Sequence, residues 1–385
     1  MRIAIDAHMV GEQETGNETY TLNLVRALMA HPAVRRGECE LLLYTTHPDR
    51  LYERLGPDLR ASVRRIRPES APFRIALGMP AAALRDHLDL LHVTYVAPPV
   101  GRCPHVVTVH DISFDKHPTF FSPRVRLMLS TLVPLSMRRA RRVITVSEHA
   151  RQEIITRYGL PPERVAVTYE AAAPDYRPIT DRTVLADVRR RYGLAPGYIL
   201  ALGNLQPRKN LGRLVDAYTQ VRAQGHLAGV QLVLAGKAQW RESELFARAS
   251  HSSHAADILF PGYVADADLP ALYSGARAYV YPSLYEGFGL PPLEAMACGT
   301  AVICSNAASL PEVTGDAAVT FDPHDTGALA AALIRLQVEP SCATNCGIAA
   351  SAAPPSSAGP AVPTRRWRST GRRYGRPERP SPAPG

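Results

Sequence analysis

The sequence predicts an α/β protein in which two Rossmann-like domains face each other across a cleft, followed by a disordered C-terminal tail. Three observations lead there. Short apolar runs alternate with helix-like segments along most of the chain, the pattern of parallel sheets flanked by helices. The 385 residues are enough for two ordinary domains, each with its own core. The alternation stops near Gln337, where the composition changes abruptly.

A strand at Ile3–Asp6 opens the first series, followed by a polar, Gly-containing loop and an amphipathic helix from about Thr19 to Ala30. Short buried strands come next at Glu40–Thr45, Leu90–Val93, His105–His110, Val143–Val146 and Arg164–Thr168. The charged stretch Pro174–Arg191 reads as a linker with a short helix. A second series runs through Tyr198–Leu202, Val230–Leu234, Ile258–Phe260, Ala278–Tyr281, Ala301–Cys304 and Ala318–Phe321. The expected limits are therefore a first domain over 1–175, a linker over 176–196, a second domain over 197–336 and a tail over 337–385. Ligands of such folds bind beyond the carboxyl ends of the strands. No Gly-x-Gly-x-x-Gly follows any of these strands, so a dinucleotide oxidoreductase lacks its phosphate loop here.

Hydrophobic content of 46% and charged content of 21% place the chain among soluble globular proteins. No run approaches the roughly 20 apolar residues that span a bilayer, and the N-terminus lacks the apolar core of a signal peptide. A cytoplasmic location is expected. The cysteines are scattered singly apart from Cys342 and Cys346, which fits a reducing compartment. Net charge is +9, but the stretch from Glu339 onward holds seven arginines against two glutamates. The body is thus only mildly basic, and no nucleic-acid partner is expected.

Residues Ser283 to Gly299 read S-L-Y-E-G-F-G-L-P-P-L-E-A-M-A-C-G. A buried strand ends near Tyr281, a loop with two glycines follows, and a helix opens at Pro291-Pro292, where a missing N–H does no harm. Gly287 and Gly289 let the backbone approach a ligand closely, and a helix N-terminus behind them favours phosphate. Glu286 and Glu294 border the same place, and carboxylates accept hydrogen bonds from pairs of sugar hydroxyls. The plain alternative is a strand, loop and helix with two solvated glutamates.

The segment Leu202 to Leu211 repeats the plan, with Arg208 and Lys209 at a helix start making an anion site. Its plain alternative is a basic helix cap. A third strand delivers His110 and Asp111 at its carboxyl end, and a lone strand-end histidine is more often structural. In the first loop, Thr15 to Tyr20, Gly16 is the one glycine, and a turn capping the helix with Thr19 is an equal reading. Ser147 is expected to cap a helix.

Glu286 and Glu294 stand in the E-x7-E spacing, inside the frame E-G-F-G-L-P-x-L-E-A-M-A-x-G. In this the chain resembles the retaining family 4 glycosyltransferases of the GT-B type over residues 1 to about 336, bacterial mannosyltransferases in particular. The resemblance implies catalytic roles for His110 and Glu286, both against the donor sugar. It implies donor binding by Gly16, Arg208, Lys209, Phe288, Gly289, Leu290 and Glu294, the last through the ribose hydroxyls. Many members carry Arg where this chain has Asn204, and Arg208 stands in for it. The implied partners are a nucleoside-diphosphate sugar, GDP-mannose first, and a glycan or lipid-linked acceptor. No cofactor beyond the nucleotide sugar as co-substrate is implied. No metal is implied either, because this fold neutralises the diphosphate with cations and helix termini. Asp266-Ala267-Asp268 imitates the metal-binding D-x-D of the other major glycosyltransferase fold but reads as helix capping.

Arg138, Arg139, Arg141 and Arg142 form a basic cluster with two readings: a helix C-terminus with its usual cations, or peripheral contact with an anionic membrane. Two rival functions remain open, a nucleotide-sugar epimerase on the same fold and an impaired nucleotide-sugar-binding protein. The second rests on the tail. Family members continue with an arginine-rich helix and a closing helix, whereas here the last 49 residues hold nine of the 34 prolines and almost no apolar periodicity. We read them as an out-of-frame extension, a matter the gene sequence decides.

Overall fold

The computed structural model describes residues 1–11, 15–56, 59–237 and 243–338. The tail over 337–385 therefore lies outside the described residues, except for the last turn of the helix Thr326–Val338.

Seven strands build the first sheet: β1 (Arg2–Asp6), β2 (Glu40–Thr45), β3 (Ser62–Arg65), β4 (Leu90–Thr94), β5 (His105–Thr108), β6 (Arg142–Thr145) and β7 (Val165–Val167). All pair in parallel, in the order β3-β2-β1-β4-β5-β6-β7. Six more build the second: β8 (Ile199–Leu202), β9 (Leu232–Ala235), β10 (Ile258–Gly262), β11 (Ala278–Tyr281), β12 (Val302–Ser305) and β13 (Val319–Phe321). These too are parallel, in the order β10-β9-β8-β11-β12-β13. Two doubly wound sheets were expected, and both are present.

Central strands covered on both faces read as continuous apolar runs. Leu41, Leu42, Leu43 and Tyr44 of β2 are all buried, and so are all four residues of β11. Strand β3 gave no such signal. Its sequence, Ser62-Val63-Arg64-Arg65, is that of a charged sheet edge, which keeps the sheet from pairing with other chains. The segment 176–196, expected as a linker, is packed: its helix Arg182–Tyr192 sends Leu185 and Val188 into the core of the second sheet, joined by Tyr176, Ile179 and Leu194.

Each sheet reverses winding at one place, between β1 and β4 in the first and between β8 and β11 in the second. Loops leaving such neighbouring strands in opposite directions open a crevice, and ligands bind there. The segments 15–20, 110–111, 202–211 and 283–299 begin at or beyond the carboxyl ends of β1, β5, β8 and β11, strands at or beside one of these two places. No described helix is long and apolar enough to cross a membrane.

Candidate active site

After β8 the chain turns at Gly203, makes one tight turn over Pro207–Lys209, and takes a left-handed residue at Asn210 (φ 55°). The helix Leu211–Ala223 begins only then. Arg208 and Lys209 thus sit one turn ahead of the helix rather than at its start, because Pro207 opens a turn of its own. Both cations reach the loop after β11. Lys209 Nζ lies 2.8 Å from Glu286 Oε1, and Arg208 Nη1 is paired with Glu286 Oε2. Arg208 also donates to the Tyr285 carbonyl at 2.9 Å, and the Lys209 ammonium lies 4.5 Å from the centre of the Tyr281 ring.

Glu286 is buried and the two cations are half-buried around it, and this desolvation sets their charges. Desolvation alone would raise the Glu286 pKa, yet Arg208 and Lys209 hold it down at about 2. For Lys209 desolvation wins over Glu286 and draws the ammonium down to about 8. Arg208 stays charged, since Glu286 and Tyr281 outweigh its burial. The turn therefore presents a net single positive charge at neutral pH, and Lys209 is the member nearest to losing its proton.

The loop that carries Glu286 is gripped from behind. Ser309 Oγ lies 2.9 Å from the Glu286 carbonyl and 2.7 Å from that of Phe288. Gly289, with φ 132°, precedes the helix Leu290–Ala297 and leaves no room for a Cβ, which would fall 2.7 Å from Leu310. Pro291 and Pro292 carry no N–H, so an anion at this helix start meets the amides of Gly289 and Leu290. Gly287 was expected to admit a ligand. Its missing side chain instead admits the other domain: a Cβ there would fall 2.5 Å from the His110 carbonyl oxygen.

Glu294, inside the helix, is only 6% exposed, and Tyr273 donates its hydroxyl to Oε2 at 3.0 Å. Burial raises its pKa to about 7 despite bonds from Tyr273 and Tyr176.

The first domain supplies His110, two residues beyond β5. Its ring stands edge-on to Tyr20, 4.6 Å between centres, with Tyr95 behind. Burial, helped by nearby His92, holds its pKa down to about 4, so the ring is neutral. Nδ1 lies 3.6 Å from Glu170 Oε1, and the buried Nε2 has no hydrogen-bond partner among the described residues. An imidazole in that state is ready to bond a ligand hydroxyl. Thr108 Oγ1 braces the surroundings through the Tyr20 hydroxyl at 2.9 Å and His92 Nε2 at 2.8 Å.

Glu170 itself escaped the sequence reading. Burial and the neighbouring Glu294 push its pKa to about 7. Its one signal was a lone acid ahead of Ala171-Ala172-Ala173, just past β7 where the chain leaves the first domain. Gly16 lies in the first turn of the helix Thr15–Ala30, and a Cβ there would meet nothing within 4 Å, so no close approach demands glycine at that position. The helix begins ahead of Thr19, which is therefore inside it and not its cap. Ser147 does cap, its Oγ accepting from the Ala150 amide at 3.1 Å.

Asp266 and Asp268 turn out differently from the helix-capping reading. Neither side chain caps the helix Leu269–Ser274. Asp268 takes Arg191, at 2.5 and 2.6 Å, and the Tyr192 hydroxyl at 2.7 Å. Asp266 pairs across the domains with Arg54 at 2.7 Å. Arginine-rich neighbours claimed these carboxylates, which no local pattern reveals. Among the described residues no three His, Cys, Asp or Glu side chains are grouped to hold a metal ion.

Two parallel sheets whose switch points face one crevice, with paired cations, a carboxylate loop and a histidine between them, define a glycosyltransferase of the GT-B class. Residues 15–175 match the family described as Glycosyltransferase Family 4, and residues 196–338 match Glycosyl transferases group 1. The O-antigen chain mannosyltransferase B of Escherichia coli is 40% identical over 262 residues, 66% of this chain and 67% of that one. The serotype-specific mannosyltransferase WbdA of the same species is 39% identical over 194 residues, 49% of this chain but 23% of that one. Among solved structures, HepE of Anabaena in complex with UDP and glucose superposes with a TM-score of 0.70 at 22% identity, covering 91% of this chain and 95% of that one. The chain belongs to the family 4 glycosyltransferases and is a transferase enzyme.

Proposed function

We propose that the protein transfers mannose, with retention of configuration, from GDP-mannose to a hydroxyl of a growing, lipid-linked glycan. The observation that carries this is the Arg208–Lys209–Glu286 cluster at the second switch point, with His110 opposite and Glu294 beside it. The mannosyl choice is supported by the relatives named as mannosyltransferases of O-antigen chains.

In this reading the diphosphate lies over the Arg208–Lys209 turn and the amides of Gly289 and Leu290, while Glu294 takes the ribose hydroxyls. His110 accepts a sugar hydroxyl through Nε2. The C1–O bond to phosphate breaks as the acceptor oxygen bonds C1 on the same face, and the acceptor proton passes to the departing phosphate oxygen. No side chain has to act as base. The residues contribute by placing two substrates and stabilising charge on the leaving group. With cations already at the turn, no metal or other cofactor is called for.

The acceptor is presented at a membrane. The helix Pro123–Arg139 turns Leu127, Met128 and Leu135 to solvent between Arg124 at one end and Arg138 and Arg139 at the other. No acidic residue occurs from Pro118 to Ser147. An apolar stripe between arginines suits an anionic bilayer. The protein should float with phosphatidylglycerol vesicles at low salt and not with phosphatidylcholine vesicles; equal flotation with both, or with neither, rules out this contact.

The donor is tested by incubating the full chain with GDP-mannose, UDP-glucose, UDP-galactose and UDP-N-acetylglucosamine and measuring nucleotide release with and without an acceptor glycan. Release from GDP-mannose should dominate, require acceptor for full rate, and persist in excess EDTA. Preference for another donor overturns the mannosyl reading. Release and recapture without acceptor, giving an altered sugar, would favour the epimerase, and loss with EDTA restored by Mg²⁺ would revive a metal mechanism.

A further inference from the structure

The loop that carries Glu286 also touches the other domain on either side of that residue, at Tyr285 and at Gly287. The Tyr285 hydroxyl is bonded to Glu153 of the first domain. Ser147 Oγ donates to the Gly287 carbonyl at 2.7 Å while capping its own helix, Glu148–Tyr158. Gly287 itself lies flat on the first domain, where a Cβ would stand 2.5 Å from the His110 carbonyl oxygen and 2.9 Å from Asp111 Cβ. Backbone cannot yield to such an overlap. Beside this contact, Glu312 of the second domain reaches across and accepts from the amides of Glu148 and His149, at 2.7 and 3.0 Å. Those are the orphan donors of the helix Glu148–Tyr158, and a carboxylate there satisfies both the hydrogen bonds and the helix dipole. Glu312 sits one turn after Ser309, the residue whose hydroxyl holds the Glu286 and Phe288 carbonyls.

We propose that Gly287, Ser147 and Glu312 form a closure latch, so that the loop meant to hold the donor diphosphate reaches its binding shape only when the two domains close. Glu312 and Ser309 are on one short helix, so the segment that caps the first domain also grips the donor loop. Pulling the domains apart removes the Ser147 hydroxyl from Gly287 and bares the amides of Glu148 and His149 together. Gly287 is thereby a closure residue, not a ligand-approach residue, and Ser147 and Glu312 act as positioning residues on the donor loop. This inference rests on the glycosyltransferase site described above, but its physical claim concerns domain closure alone.

The test is small-angle X-ray scattering of the full chain, alone and with saturating GDP or UDP, compared with Gly287→Ala, Ser147→Ala and Glu312→Gln. The wild type should be more compact than Gly287→Ala in at least one condition, with Glu312→Gln and Ser147→Ala in between. Because closure multiplies apparent affinity, Glu312→Gln should raise the donor KM about tenfold while kcat at saturation stays within about threefold. A KM unchanged in Glu312→Gln, or scattering of all three variants identical to wild type in every condition, overturns the latch. Should Gly287→Ala not fold, Ser147→Ala and Glu312→Gln, whose side chains need no new space, carry the comparison. A wild type that transfers no sugar would instead sink the proposed function and leave the scattering comparison standing.

Discussion

Replacing Glu286 by alanine should abolish sugar transfer and also loosen the fold, and a glutamine at the same position separates the two effects. Alanine leaves Arg208 and Lys209 half-buried side by side with no carboxylate between them. Breaking a fully buried pair from one side costs about 3–5 kcal/mol, and orphaning these half-buried cations, which keep some contact with water, should cost less than that. Glutamine keeps the volume and one acceptor oxygen, so thermal unfolding should fall much less. Transfer should still drop at least a hundredfold in both variants, because Glu286 no longer fixes Arg208 and Lys209 where they meet the diphosphate, and one well-placed contact to the developing charge is worth about 3 kcal/mol. Lys209→Ala should match that loss with milder unfolding, since Arg208 still neutralises Glu286. Glu286→Gln has a further signature. Lys209 already titrates at about 8 with Glu286 beside it, and without that carboxylate its ammonium falls lower still. The residual activity of the glutamine variant should therefore decline at a lower pH than that of the wild type. Transfer rates of purified variants, with donor binding verified by calorimetry, decide the matter. Near-normal turnover in Glu286→Gln with donor bound would remove this cluster from the reaction.

What the sequence announced and what it hid follow one physical line. Period and composition are local, so continuous apolar runs such as Leu41–Tyr44 and the β11 run disclosed the two parallel sheets. The edge strand β3 went unread, and the helix Arg182–Tyr192 was read as part of a linker rather than as packed, because polar outward faces mask their buried sides. At the site, glycines, prolines and acids clustered within one motif pointed to Glu286 and Glu294. Their charge states were not legible. Nothing in the spacing from Arg208 to Glu286, 78 residues apart, says that they meet, and Glu170 enters the cleft only because β7 ends beside β6. Gly287 is the instructive case. The residue type was read as freedom for the backbone, which was right, but the object approached is the His110 carbonyl of the other domain, a tertiary fact. The same holds for Asp266, whose partner Arg54 lies in the first domain.

Glu294→Gln should make the protein more stable at pH 8 and weaker at holding its donor. The Glu294 carboxyl has a pKa of about 7 in the folded chain against an ordinary 4.5, mainly from burial. A folded pKa raised in this way means that the folded state keeps a proton the unfolded chain has already released. Its contribution to stability is full below about 4.5 and is lost as pH rises through 7. At pH 8 the wild type therefore carries an ionised carboxylate in a place that disfavours it, at a cost of about 3 kcal/mol from the gap between those two values. Glutamine has no charge to bury at any pH and still offers an oxygen to the Tyr273 hydroxyl. The variant should thus unfold several degrees above the wild type at pH 8, and the difference should shrink toward zero as pH approaches 4.5. Glu170 adds to the effect, since part of its own raised pKa comes from Glu294 and would relax with it. Binding runs the other way. Two ribose hydroxyls donate best to an ionised carboxylate, and a hydrogen bond to a charged group is worth about 1.5–3 kcal/mol. Donor affinity should fall roughly ten- to a hundredfold in the variant. In the wild type it should rise between pH 6 and 8 as the carboxylate ionises, a slope the variant lacks. Thermal unfolding curves and calorimetric titrations with donor across that range measure both, and a variant with the same pH dependence as the wild type would mean that Glu294 is not the group that titrates.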